Sequence, residues 1–189
     1  MRNFLVLFVI CALCSCAKAP LSKKTCVHEE LTTNLDGVRL PTAISYTMPS
    51  SWLKTPSTNS MKLEERIIDP ITQSKMKVFY FEGMKGMTQA NLERWQGQFA
   101  AQGRELLSQQ VLEKNEIPIV EFMMSGTYKD KLQPMNPQSE VNLRPKHTMK
   151  AYIVETQTGT WFFKAVAPDA VITKLEAQFN SLISSIKES

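Results

Sequence analysis

Residues 149–186 read MKAYIVETQTGTWFFKAVAPDAVITKLEAQFNSLISSI. Met149–Thr156 and Trp161–Ala167 are rich in β-branched and aromatic residues, and Thr158-Gly159 between them is a hairpin-turn signal. Asp169 then stands where a helix cap belongs. Ile172, Leu175, Phe179, Leu182, Ile183 and Ile186 recur at helical spacing on one face, while Lys174, Gln178 and Ser185 fall on the other. A hairpin running straight into an amphipathic helix predicts a sheet with that helix packed on it.

Upstream, the same alternation recurs. Ile44–Met48 reads as a strand ended by Pro49, and Ser50-Ser51-Trp52-Leu53 as a turn with a buried tryptophan. Met61–Ile68 and Lys75–Glu82 are two more strands, split by the turn signal Asp69-Pro70. In the second, Met76, Val78, Tyr80 and Glu82 share one face, and Lys77, Phe79 and Phe81 the other. Thr88 can cap a helix that reaches Gln102, with Gly103 ending it. Leu92, Trp95 and Phe99 face the core in that reading, and Gly97 inside the helix costs about 1 kcal/mol relative to alanine. Strands follow near Leu106–Leu112 and Ile117–Tyr128, then a loop. The fold class is therefore α+β, an antiparallel sheet flanked by helices.

Taken together, strand–Pro–Trp, two strands, a helix, several antiparallel strands and a closing helix are similar to the PsbP-like family, whose fold is an α/β/α sandwich. Shorter pieces resemble a group of uncharacterised bacterial exported lipoproteins with such a domain. These pieces are Met48-Pro49-Ser50-Ser51-Trp52 with Arg66, the run Ala90 to Phe99 (ANLERWQGQF), and Thr160-Trp161-Phe162-Phe163-Lys164. The resemblance spans roughly residues 40–187. It implies binding or assembly roles and carries over no catalytic residue, because fold alone does not fix function.

The N-terminus reads as an address. Met1-Arg2-Asn3 is a short positive start, and Phe4–Leu13 (FLVLFVICAL) is an unbroken apolar run. A spanning helix needs about 20 apolar residues, so this run fits a secretory signal instead. Leu13-Cys14-Ser15-Cys16 resembles the bacterial lipobox, with Cys16 as the lipid-bearing cysteine. Leu13 occupies the position that must be small if Cys14 were modified, and cleavage after Ala19 would place Pro20 at the cut. The expected organisation is a signal peptide over 1–15, a lipidated tether over 16–36, and one α+β domain over 37–189. Each buried methylene contributes about 0.8 kcal/mol, so two or more acyl chains hold firmly without a protein span. The expected place is the bacterial cell envelope, facing the periplasm. Ala17 lacks the acidic character associated with inner-membrane retention, which favours the outer membrane.

Composition excludes several classes. Hydrophobic residues are 43% and charged residues 21%, and the net charge is +4 without a basic stripe, so nucleic acid is not an expected partner. Once Cys11 and Cys14 leave with the signal and Cys16 carries lipid, Cys26 alone remains, and no internal disulfide can form. Cys26 with His28 falls short of the three or four ligands a zinc site needs. With seven glycines, no phosphate loop and no G-x-S-x-G or H-E-x-x-H pattern, no cofactor, metal or enzymatic activity is expected.

Three places are candidate binding sites. Lys129–Lys146 (KDKLQPMNPQSEVNLRPK) reads as a long loop with Pro134, Pro137 and Pro145, and loops beyond about 12–15 residues are usually functional or disordered. Arg144, Lys146, His147 and Lys150 form a weak basic cluster near its end, suited to an envelope protein partner. Asn91, Arg94 and Gln98 share one side of the Trp95 helix, either gripping an anionic or peptide ligand or orienting the helix by satisfying nearby backbone groups. Lys164, between Phe162 and Val166 on one strand face, is expected to snorkel to solvent. The alternative class is an envelope hydrolase or ligand-processing enzyme with His147 as its base.

Overall fold

The computed structural model describes residues 35, 37–56, 62–133, 136 and 138–189. The signal segment, Cys16, Cys26, His28 and nearly all of the tether lie outside the described residues. In chain order the elements are β1 (Ile44–Ser45), β2 (Leu53–Lys54), β3 (Lys62–Asp69), β4 (Ser74–Glu82), α1 (Thr88–Gln96) and β5 (Glu105–Lys114). They continue with β6 (Ile117–Lys131), β7 (Val141–Glu155), β8 (Gly159–Pro168), α2 (Asp169–Lys174), α3 (Glu176–Ser184) and β9 (Lys187–Glu188). Seven strands form an antiparallel sheet in the order β2-β3-β4-β8-β7-β6-β5, and β1 pairs with β9 apart from it. The described chain is mainly β with a few short helices.

Period-2 alternation sends neighbouring side chains to opposite faces of a strand, and both faces of the sheet are used. On one face Met76, Val78, Ile117, Ile119, Tyr152, Val154, Phe163 and Ala165 are buried with Val171, Ile172, Phe179, Leu182 and Ile183 of α2 and α3. Trp52 closes this core, its ring edge-on to Phe179 at 5.4 Å. On the other face Val120, Phe122, Met124, Met149, Ala151, Ile153 and Phe162 are buried with Leu92 and Trp95 of α1, and Phe99 just beyond it. The expected faces of β4 hold: Met76 and Val78 belong to the first core, Phe79 and Phe81 pack against the second.

The turns have identifiable causes. Asp69 accepts from the Thr72 amide at 2.8 Å, closing the β3–β4 turn at the Asp-Pro signal. Asn115 and Glu116 both have positive φ, 51° and 62°, as a two-residue hairpin joining β5 and β6 requires. Gly159 follows the β7–β8 turn, and a Cβ there would run into the backbone of Phe81 and Glu82. The turn falls where expected, but the glycine is needed for strand contact.

Three helix boundaries differ from expectation. α1 starts after Met87, and the Thr88 hydroxyl donates to the buried Glu155 carboxylate instead of capping. The same helix stops at Gln96, because the next backbone turns to pair with β6: Ala100 N donates to Thr127 O at 2.9 Å and Lys129 N to Gln98 O at 2.8 Å. Gly97 is thus the C-cap, not an interior position, and Gln98 is off the helix. The closing helix is two helices broken at Leu175 (φ −96°, ψ 11°), and Asp169 directs its carboxylate to the Thr148 hydroxyl at 2.7 Å. Ile44–Met48 contributes only Ile44–Ser45 as strand, matched by the short C-terminal β9.

Candidate functional site

The largest departure concerns the expected loop over 129–146. It is mostly strand: β6 extends to Lys131 and β7 begins at Val141, leaving residues 132–140 as the connection. β5 pairs with β6 as far as Ser125, and β8 with β7 as far as His147. Beyond those points Tyr128–Lys131 and Val141–Arg144 pair with each other, forming an arm. The prolines and polar residues disguise it. Pro145 and Lys146 occupy a register shift opposite Gly126–Tyr128, with Lys146 at φ 54°, and a bulge is where a strand tolerates proline.

The basic cluster expected at Arg144, Lys146, His147 and Lys150 does not assemble. Arg144 is paired with Asp130 at 2.7 Å on the arm. Lys146 is exposed in the bulge. His147 Nδ1 lies 2.8 Å from the Pro145 carbonyl, and no hydroxyl or carboxylate is bonded to its ring among the described residues. Lys150 is buried on the α2–α3 side, bonded to both Glu176 oxygens at 3.0 Å and 3.5 Å from Glu121. Alternation along β7 turns His147 to the other face, and the register shift between Arg144 and His147 does the same for Arg144.

The patch at Asn91, Arg94 and Gln98 is brought together, and it gains members. Asn91 Nδ2 donates to the Met87 carbonyl at 2.9 Å, and its Oδ1 accepts from Arg94 at 2.7 Å. Asn91 therefore serves the helix backbone while steering the guanidinium. Gln98 Oε1 accepts from Lys164 Nζ at 2.6 Å. That ammonium stands 5.7 Å from the Trp95 ring centre, so it is tied into the structure and does not simply snorkel to solvent. Burial, with repulsion from Arg94 and Lys77, pulls the Lys164 pKa down to about 7.

Lys77 is the residue the sequence reading missed. It is the direct cross-strand partner of Lys164, and its other partner is Glu65. Glu65 is already engaged by Lys62 and by Lys75, the latter at 2.7 Å. Desolvation opposes its ionisation, yet these lysines hold its pKa down at about 2. Partial desolvation also lowers the pKa of Lys77 and of Arg94, although both side chains still reach solvent. The available signal was a cation directly bordering each of two apolar runs, Lys77 before Val78-Phe79-Tyr80-Phe81 and Lys164 after Trp161-Phe162-Phe163.

Tyr128 connects this patch to the arm. Its ring meets Phe99 edge-on at 5.5 Å. Burial and the neighbouring Asp130 raise its pKa to about 12, with Arg144 and Arg94 opposing. Among the described residues, no group of three or more His, Cys, Asp or Glu side chains is placed to hold a metal ion. No helix among them is long and apolar enough to cross a membrane.

No protein-family model and no curated protein sequence matches the chain. Solved structures are similar in outline. Cyanobacterial PsbP from Synechocystis shares 12% identity over 84% of this chain and 99% of its own, with a TM-score of 0.48. LpqN of Mycobacterium tuberculosis, described as involved in cell envelope biogenesis, shares 10% over 80% and 86%, with a TM-score of 0.49. PA94 of Pseudomonas aeruginosa, described as a protein of unknown function, shares 9% over 79% and 85%, with a TM-score of 0.43. Likeness at this level assigns no residue a role.

Proposed function

We propose that this protein is a non-catalytic binding or assembly module of the bacterial cell envelope, anchored by lipid on Cys16 and facing the periplasm. The observation that carries the reading is the β6–β7 arm. Leu143 and Leu132 are 63% and 62% exposed on it, and Val141 is exposed beside them. Exposed apolar side chains on a hairpin gain more from a protein partner than from water. The Asp130–Arg144 pair and the Phe99–Tyr128 contact brace the base of the arm, so the leucines are presented on a supported element.

A photoreactive side chain at the exposed neighbour Asn142, crosslinked in intact cells, should capture an envelope protein. Leu132→Ser with Leu143→Ser should remove that product while changing stability by no more than about 0.5 kcal/mol, as surface changes do. Unchanged crosslinks in the double variant would sink the arm as the contact surface. Independently, Cys16→Ser should release the chain from membranes, and full retention in the membrane fraction would refute the anchor.

A further inference from the structure

Three cations stand where α1 meets one face of the sheet, and among the described residues no ion pair closes on any of them. Lys77 and Lys164 are paired directly across β4 and β8. Arg94 is near enough to lower the Lys164 pKa, as is Lys77. Like charges at directly opposed strand positions are destabilising. Glu65 and Asp130 favour the charge on Lys77, but from beyond ion-pair distance. Glu65 is held by Lys62 and Lys75, and Asp130 by Arg144. Among the described residues, no carboxylate lies within ion-pair distance of Lys77, Arg94 or Lys164.

The three cations differ in exposure. Lys77 and Arg94 are exposed, while Lys164 lies deeper, against Trp95 and Gln98. Gln98 takes one of the three ammonium protons of Lys164, leaving two N–H donors, and Asn91 takes one donor of the five on Arg94. The Asn91 and Gln98 bonds fix the two cationic heads without neutralising them. Apolar side chains at these positions would continue the aromatic face without repulsion, so the cluster has a cost that folding alone does not offset.

We propose that Lys77, Arg94 and Lys164 form a binding site for the phosphoryl group of a ligand, seated at the Trp95–Gln98 corner. A phosphoryl dianion brings two charges and three acceptor oxygens to three cationic donors, where a carboxylate brings one charge and two oxygens. Arg94 supplies a planar fork and the lysines supply point charges, a combination suited to a tetrahedral oxyanion. The group belongs either to a free phosphate monoester or to a phosphorylated lipid headgroup. This site is separate from the apolar end of the arm and does not depend on it.

The test is titration of the purified protein with phenyl phosphate and with a short-chain, water-soluble phosphatidic acid, following the Trp95 indole N–H resonance. Saturable one-to-one binding of phenyl phosphate is expected. Lys164→Gln and Arg94→Gln should each weaken it by roughly tenfold or more, the loss of one charge-assisted hydrogen bond. Lys164→Arg, which keeps the charge, should recover most of the affinity. If Lys164→Gln fails to fold, Lys77→Gln at an exposed position provides the same reading. Tighter binding of phosphatidic acid assigns a lipid source, and equal or weaker binding assigns a free ester. No saturable shift with either probe, or equal affinity in the charge-removing variants, overturns the site.

Discussion

The Lys164 ammonium donates to Gln98 Oε1 at 2.6 Å, tying the centre of the sheet to the turn that ends α1. This bond fixes a cation whose strand neighbour is also a cation, Lys77. Folding thus positions two like charges at its own expense, and the expense is set by pH.

The sign follows from the two pKa values. In the folded chain Lys164 titrates near about 7, whereas an unfolded lysine titrates near about 10.4. Between these values the unfolded chain holds a proton that the folded chain lacks, so stability rises with pH across that window. Below it the whole cost of the charged lysine is present. The charged groups that act on Lys164 are Arg94 of α1 and Lys77 of β4. Urea unfolding of wild type and Lys164→Met from about pH 7 to about pH 10 should show the wild type gaining relative to the variant. A constant difference would mean that Lys164 titrates as an ordinary exposed lysine.

Gly159 is a second position where sequence and structure give different reasons for one residue. A Cβ there would come within 3.0 Å of Glu82 Cα and closer still to the Phe81 carbonyl oxygen. Both are backbone atoms of the adjoining β4 strand and cannot swing aside. Gly159→Ala should therefore destabilise by about 1–3 kcal/mol, the usual range for overpacking. The shift in urea midpoint reads this directly, and a neutral result would show that the β4–β8 pairing can open there without loss.

Much of the fold was legible because apolar residues alternate or recur where an element covers a core. Met76 and Val78 against Phe79 and Phe81 are one example, and Phe179, Leu182 and Ile183 another. The arm was not legible, since polar residues dominate its strands, Tyr128 alone packs on the Phe99 core, and Pro145 occupies a bulge, so neither alternation nor an uninterrupted run marks them. Asn91, Arg94 and Gln98 could be named from spacing, although Gln98 reaches the patch from a turn. The pairing of Lys77 with Lys164 could not be named. It depends on strand register, and β4 and β8 lie far apart in sequence. For the same reason Lys150 was grouped with Arg144, Lys146 and His147.

Lys150 then supplies a contrast to Lys164, and the contrast can be measured. It is 2% exposed, yet Glu176 bonds it twice at 3.0 Å and Glu121 lies 3.5 Å away. Its ammonium also stands 5.8 Å from the Phe179 ring and 6.0 Å from that of Tyr152. Burial works against the charge on Glu121, but Gln110, Ser108 and Lys150 hold its pKa below the ordinary range. Lys150→Met removes the cation from this buried set and leaves Glu121 with only its two neutral donors. The expected loss is about 3–5 kcal/mol, as for other buried pairs broken on one side. Adding Glu121→Gln should recover part of it, because the second change removes the charge the first stranded. A double-mutant cycle in urea that shows strict additivity would mean the two groups are screened from each other. The cation on the α2–α3 face would then be held by Glu176 alone.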